Sequence, residues 1–111
     1  MSMFYRCGVY VKEFDPTRKD KIFEAIQSYW HFEEPHLYES TVDDNERAID
    51  AEGEANLGNE EHAFAEKLAI LIWKANKNKC KVTVSMTCLE DLPTESYVFD
   101  EENYIKIMAK V

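Results

Sequence analysis

Glycine, proline and cysteine are all scarce in this chain, three of each in 111 residues. Gly8, Gly53 and Gly58 stand apart, and no GxGxxG, P-loop or GxSxG motif occurs. The phosphate-cradling and nucleophile-elbow chemistries that depend on such loops have no carrier here. Cys7, Cys80 and Cys88 are odd in number, form no CxxC and lie in strand-like runs. That pattern reads as buried free thiols in a reducing compartment. Long apolar runs are missing as well. The longest, LAILIW at 68–73, falls far short of the roughly 20 residues that span a bilayer. MSMFYRCGVY at the N-terminus has no apolar stretch followed by a cleavage site, so the expected location is the cytoplasm.

Positive charge is the other shortage. Lys and Arg total 13 against 22 Asp and Glu, a net charge of -9. That sign disfavours direct contact with nucleic-acid phosphates or anionic membrane surfaces and favours a basic protein surface or a cationic ligand. The remaining composition is that of a folded domain: 45% of residues are apolar and 13% aromatic, enough for one core and one domain over residues 1–111.

Hydrophobic periodicity predicts the elements in order. Residues 4–14 alternate as a strand, with Tyr5, Cys7, Val9 and Val11 on one face and Arg6, Gly8, Tyr10 and Lys12 on the other. Asp15-Pro16 opens a helix, with Asp15 as N-cap, Pro16 at N1 and an apolar stripe of Ile22, Phe23, Ile26, Tyr29 and Trp30. A second strand spans 36–43, and Asp43-Asp44-Asn45 is turn chemistry. RAIDAEGEANL at 47–57 alternates strictly, placing Asp50, Glu52 and Glu54 together on one side. Asn59 caps a second helix whose core face is Phe64, Leu68, Leu71, Ile72 and Ala75. Strands follow at 80–89 and 97–99, and Asp100 caps a last helical turn or two carrying Tyr104, Ile105 and Met108. The order β-α-β-β-α-β-β, with right-handed crossovers, predicts an α+β fold: a ferredoxin-like β-α-β-β-α-β sandwich. Its antiparallel sheet would carry both main helices on one face and an added strand and short helix at the C-terminus.

Known uses of such a scaffold can be tested against the residues. RNA-recognition sheets need aromatics and positive charge on the first and third strands; Phe4 and Tyr10 are available, but Asp50, Glu52 and Glu54 would repel phosphate. His31, Glu33, Glu34 and His36 in HFEEPH form a candidate donor set for a divalent metal. A solvated helix-to-strand loop is the simpler reading, so no metal or other cofactor is assigned. Glu90, Asp91, Glu95, Asp100, Glu101 and Glu102 read as solvated or capping acids rather than as paired acid–base groups. His62 is a helix-surface residue within reach of Glu61 or Glu66.

The charge itself is segregated. Residues 31–66 hold twelve acids against one base, Arg47, a net -11, whereas the remainder is +2. A coat meant only for solubility would interleave lysines. The expected binding surface therefore combines Asp50, Glu52 and Glu54 with Glu39, Asp43, Asp44 and Glu46. Trp73, off the main helical stripe, reads most simply as core packing against the first helix; the sharper alternative adds it to this surface as an aromatic anchor of a dimer or partner contact.

AFAEKLAILIWKAN at 63–76 and TCLEDLPTESYVFDEENY at 87–104 resemble a family of small acidic α/β proteins of bacterial mobile elements and phages. That family has no assigned activity and lends no functional residue. The resemblance implies a non-enzymatic inhibitor of host nucleic-acid machinery, in the manner of anti-CRISPR proteins, that occludes a basic surface. The alternatives are a homo-oligomeric structural or regulatory protein, built on Trp73 or the fifth-strand edge, and a metal-binding enzyme or sensor using His31 and His36.

Overall fold

A computed structural model describes residues 3–30, 32–39, 47–57, 61–88 and 94–110. Five strands and three helices follow in the order β1 (Met3–Lys12), α1 (Lys19–Tyr29), β2 (His36–Glu39), β3 (Arg47–Leu57), α2 (Glu61–Asn76), β4 (Lys81–Cys88), β5 (Thr94–Phe99) and α3 (Glu101–Met108). A single 3-10 turn at Pro16–Arg18 precedes α1. Asp15 caps that turn, accepting from Thr17 N at 2.9 Å, with Pro16 in the position where a missing N–H costs nothing.

The strands form one sheet in the order β2-β3-β1-β4-β5, every neighbouring pair antiparallel. β1 lies at its centre, with Cys7 opposite Gly53 on one side and Met86 on the other. The period-two alternation sorts the side chains as expected. Tyr5, Cys7, Val9, Val11, Ile49, Ala51, Val82, Val84 and Met86 are buried on one face, in a core shared with Ile22 and Ile26 of α1 and Phe64, Leu68 and Ile72 of α2. Arg6, Tyr10, Glu52 and Glu54, of the opposite parity, are exposed. The other sheet face therefore carries no helix from α1 or α2.

The buried stripe of α2 differs from the expected one. It comprises Phe64, Ala65, Leu68, Ala69, Ile72, Trp73 and Asn76, while Leu71 is only half-buried. Relative to the expected face it is rotated by roughly a fifth of a turn. The cause is α3, which packs Tyr104 edge-on against Trp73 at 5.2 Å and so covers that flank. On α3 itself, Tyr104, Ile107 and Met108 pack against the core, and Ile105 is 61% exposed rather than inward. Among the described residues, no helix is long and apolar enough to cross a membrane. Cys7 and Cys80 are buried and free, whereas the Cys88 side chain lies outside the described set.

Candidate functional site: the outer face of the sheet

The face opposite the helices is assembled by register. Asp50 of β3 sits between His36 of β2 and Tyr10 of β1, and that row continues through Thr83 to Val98 on β5. The next row runs from Glu52 through Gly8 and Ser85 to Ser96. The third runs from Glu54 through Arg6 and Thr87 to Thr94. At the far end Lys12 and Lys81 are paired. The face is thus acidic along β3 and rich in hydroxyls along β4, with cations on β1 and at one end of β4.

Gly8 makes a shallow dip at its centre: a Cβ there would meet only Ser85 Cβ, 4.0 Å away. Tyr10, 38% exposed, borders the dip, with Lys12 Nζ 5.4 Å from its ring centroid. Val98, 49% exposed, is another large apolar side chain on this face.

The three carboxylates differ in surroundings. Partial burial raises the pKa of Asp50, the charge of Glu52 adds to the rise, and His36 opposes it. Glu52 accepts from Arg6 Nη2 at 2.5 Å. That bond, with the further charges of Glu33 and Glu54, raises the Arg6 pKa above its ordinary value. Glu33 reaches this neighbourhood because its backbone N–H donates to Glu52 O at 2.8 Å, continuing the edge beyond β2. Trp30 then donates its indole N–H to Glu54 O at 2.8 Å. Three acids, Glu33, Glu52 and Glu54, therefore lie near one guanidinium, and Asp50 adjoins them through Glu52.

Other expected residues fall elsewhere. Trp73 lies in the core and not on the outer sheet face. It is 1% exposed, its indole donates to Cys80 O at 2.8 Å, and its ring packs against Phe99 and Tyr104. Burial of so large a ring behind α3 is what the helical wheel of α2 alone could not reveal. Glu39 pairs in register with Arg47, but its side chain lies outside the described residues, as do Asp43, Asp44 and Glu46 entirely. Glu61 and Glu66 belong to the helical layer: Glu61 accepts from the Tyr5 hydroxyl, and Glu66 lies 4.0 Å from His62 Nδ1.

His36 is exposed beside Asp50, His31 is outside the described residues, and no group of three metal-ligating side chains occurs among those described. Of the C-terminal acids, Asp100 forms a capping box with Asn103, Glu101 pairs with Lys79 at 2.6 Å and Glu102 with Lys106 at 3.2 Å. Glu95 accepts from the Tyr97 hydroxyl at 2.8 Å. Glu90 and Asp91 are outside the described residues.

Sequence reasoning missed Arg6 and Glu33 as members of the acidic neighbourhood. The alternation of β1 did place Arg6 outward; what it lacked was the register that sets Arg6 among the acids of β3. No family model, curated protein or solved structure matches the chain.

Proposed function

We propose that the protein is a non-enzymatic binding module whose acidic β3 side docks on a Lys/Arg-rich surface of another protein. The observation that carries this reading is the alignment of Asp50, Glu52 and Glu54 on one outward strand face, with Glu33 beside them. Aligned like charges repel by a few tenths of a kcal/mol per pair, by analogy with cross-strand pairs. A partner that supplies arginine relieves that repulsion and gains charge-assisted hydrogen bonds. A single-sign strip also raises encounter rates with a basic partner by roughly 10 to 10³.

The class of partner comes from the resemblance of 63–76 and 87–104 to small acidic proteins of mobile elements and phages. It supports a nucleic-acid-handling protein whose basic cleft is occluded, possession of a defence role included. The scaffold fits a ferredoxin-like sandwich extended by β5. In support, the β1-α1-β2 connection passes over β3, and the β3-α2-β4 connection passes over β1.

The test is affinity capture from host lysate with the unaltered protein and with Asp50, Glu52 and Glu54 all changed to Lys, after circular dichroism has shown both to be folded. The reading expects a specific partner captured by the first and lost by the second. Equal recovery of that partner by both versions removes the idea.

A second reading, self-association, is favoured by one observation. β5 is an edge strand in continuous register with β4, and among the described residues no strand pairs with its outer side. Such edges are templates for a further strand. Mass measured in solution decides it, since a strict monomer at high concentration defeats it.

A further inference from the structure

Gly8 stands in the middle of β1, the central strand, paired with Glu52 on one side and Ser85 on the other. Glycine inside a strand weakens it, and three causes usually account for one: a bulge, a special backbone angle, or the close approach of another group. A bulge is ruled out, because both ladders keep one-to-one register from Tyr5 to Lys12. A special angle is ruled out as well, since among the described residues no glycine has a positive φ. The fold makes no close approach either: a Cβ at position 8 would meet only Ser85 Cβ, at an ordinary 4.0 Å. The residues that surround the position, along β1 and across to β3 and β4, are all described. The gap therefore serves a group that reaches the outer face from another molecule.

The walls of the dip favour one kind of occupant. Glu52 lies across from Gly8 toward β3, with Asp50 and Glu54 one row to either side. Ser85 lies across toward β4, with Ser96 beyond it. Tyr10 bounds the dip along β1. A group seated there meets carboxylates on one side, hydroxyls on the other and an aromatic ring at one end. Guanidinium suits all three: it is cationic, it has N–H donors for acceptors on both sides, and it is planar enough to lie on a tyrosine. The chain displays each half of that contact with its own cations. Arg6 Nη2 donates to Glu52 at 2.5 Å, and Lys12 Nζ stands 5.4 Å from the Tyr10 ring centroid. Against these two cations stand Asp50, Glu52, Glu54 and the neighbouring Glu33, so the surroundings stay negative. We infer that the Gly8 dip is a specificity pocket for one arginine side chain of the basic partner, its guanidinium beside Tyr10 and between Glu52 and Ser85. The inference rests on the reading of the β3 side as a docking surface. It adds what a row of carboxylates lacks, discrimination of arginine from lysine. An ammonium satisfies the same charge but has no planar fork and no flat surface for the ring.

Two peptides test it, one alternating serine with arginine and the other serine with lysine. In extended form their cations recur every 6.8 Å or so, the spacing of Asp50, Glu52 and Glu54 along β3. Each is titrated into the full chain at low salt and followed by amide NMR shifts, with a citrulline peptide as the uncharged control. The arginine peptide should bind about fivefold or more tighter than the lysine peptide, with shifts at Gly8, Tyr10 and Ser85. Gly8→Val, which fills the dip, should abolish that advantage and leave the lysine peptide within about twofold of its former affinity. Changing Asp50, Glu52 and Glu54 to Lys should weaken both peptides. Equal affinity for the two peptides, or an arginine advantage that survives Gly8→Val, overturns the pocket while the acidic docking surface stands. Absence of saturable arginine-peptide binding at millimolar concentration, or citrulline binding as tight as arginine, also overturns it; the docking reading is judged separately by affinity capture. Gly8→Ala checks the premise. The space is open, so the urea midpoint should hold or rise, and a marked fall would show that the fold itself needs the glycine.

Discussion

Arg6 faces Glu54 in the β1–β3 register, yet its guanidinium donates along the diagonal to Glu52, 2.5 Å away. The cation therefore stands inside the row of acids, where Glu33 and Glu54 also act on it. Both partners are about half exposed, so the pair contributes little to folding and mainly dilutes the negative potential of β3. Arg6→Gln should leave the urea midpoint nearly unchanged. It should also accelerate association with a lysine-rich peptide at low salt, and the gain should vanish as salt screens the surface. Stopped-flow fluorescence at several ionic strengths reads this directly. A slower association would show that Arg6 itself makes the contact.

Trp73 should matter for stability and not for binding. Trp73→Ala removes a fully buried ring and the indole bond to Cys80 O, and is expected to cost about 3–5 kcal/mol. Trp73→Phe keeps most of the volume but leaves that carbonyl without its donor, a loss of about 1–3 kcal/mol. Urea unfolding of both variants gives the two values, and their order should not reverse.

Asn76 is the one buried polar side chain among the described residues. It accepts from Asp15 N at 2.8 Å and donates to Asn78 O at 2.9 Å and Lys79 O at 3.3 Å. It thereby ties the entry to α1 to the exit from α2. Asn76→Ala should cost about 1–3 kcal/mol, with amide exchange rising first at Asp15 and Lys79. Asn76→Asp should cost more, because a carboxylate would face two carbonyls it cannot satisfy.

Alkaline pH should destabilise the fold. Burial pushes the Cys7 thiol from 9.0 up to about 11 and the Cys80 thiol up to about 12. Burial and the bond to Glu95 push the Tyr97 phenol from 10.0 to about 12. All three groups are raised in the folded state, so their contribution is complete below the unfolded values and is lost as pH rises through the folded ones. The urea midpoint should fall between about pH 9 and about pH 12. In a Cys88→Ser background, thiol labelling of the native protein near neutral pH should be slow and limited by unfolding. Rapid labelling would mean that Cys7 or Cys80 is accessible.

Lys77 terminates α2 with φ 60°, the left-handed conformation in which a helix normally places glycine. Lys77→Gly should therefore stabilise by up to about 1 kcal/mol despite lowering helix propensity. A thermal melt is sufficient to check the sign.

The elements were legible wherever one face of a segment decides its fate. The alternations Tyr5-Cys7-Val9-Val11 and Ile49-Ala51-Gly53 placed β1 and β3, and Asp15-Pro16 and Asp100 marked two helix starts. What local pattern could not show was which neighbour covers a second flank. The buried stripe of α2 turns from Leu71 toward Trp73 because Tyr104 of α3 lies over the latter. The candidate site divides the same way. Asp50, Glu52 and Glu54 were visible as a period-two row, whereas Arg6 enters through pairing between segments 46 residues apart. No local pattern singles out Asn76, since its three backbone partners are brought together only by the packing of α1 beside α2.

Beyond β2, the backbone carbonyls of Glu52 and Glu54 are taken by the Glu33 amide and the Trp30 indole. Among the described residues, that side offers a newcomer strand the four residues His36–Glu39. Among the described residues the two borders of the sheet are thus unequal, six residues of β5 against four of β2, and head-to-tail polymerisation would have to consume one border of each kind.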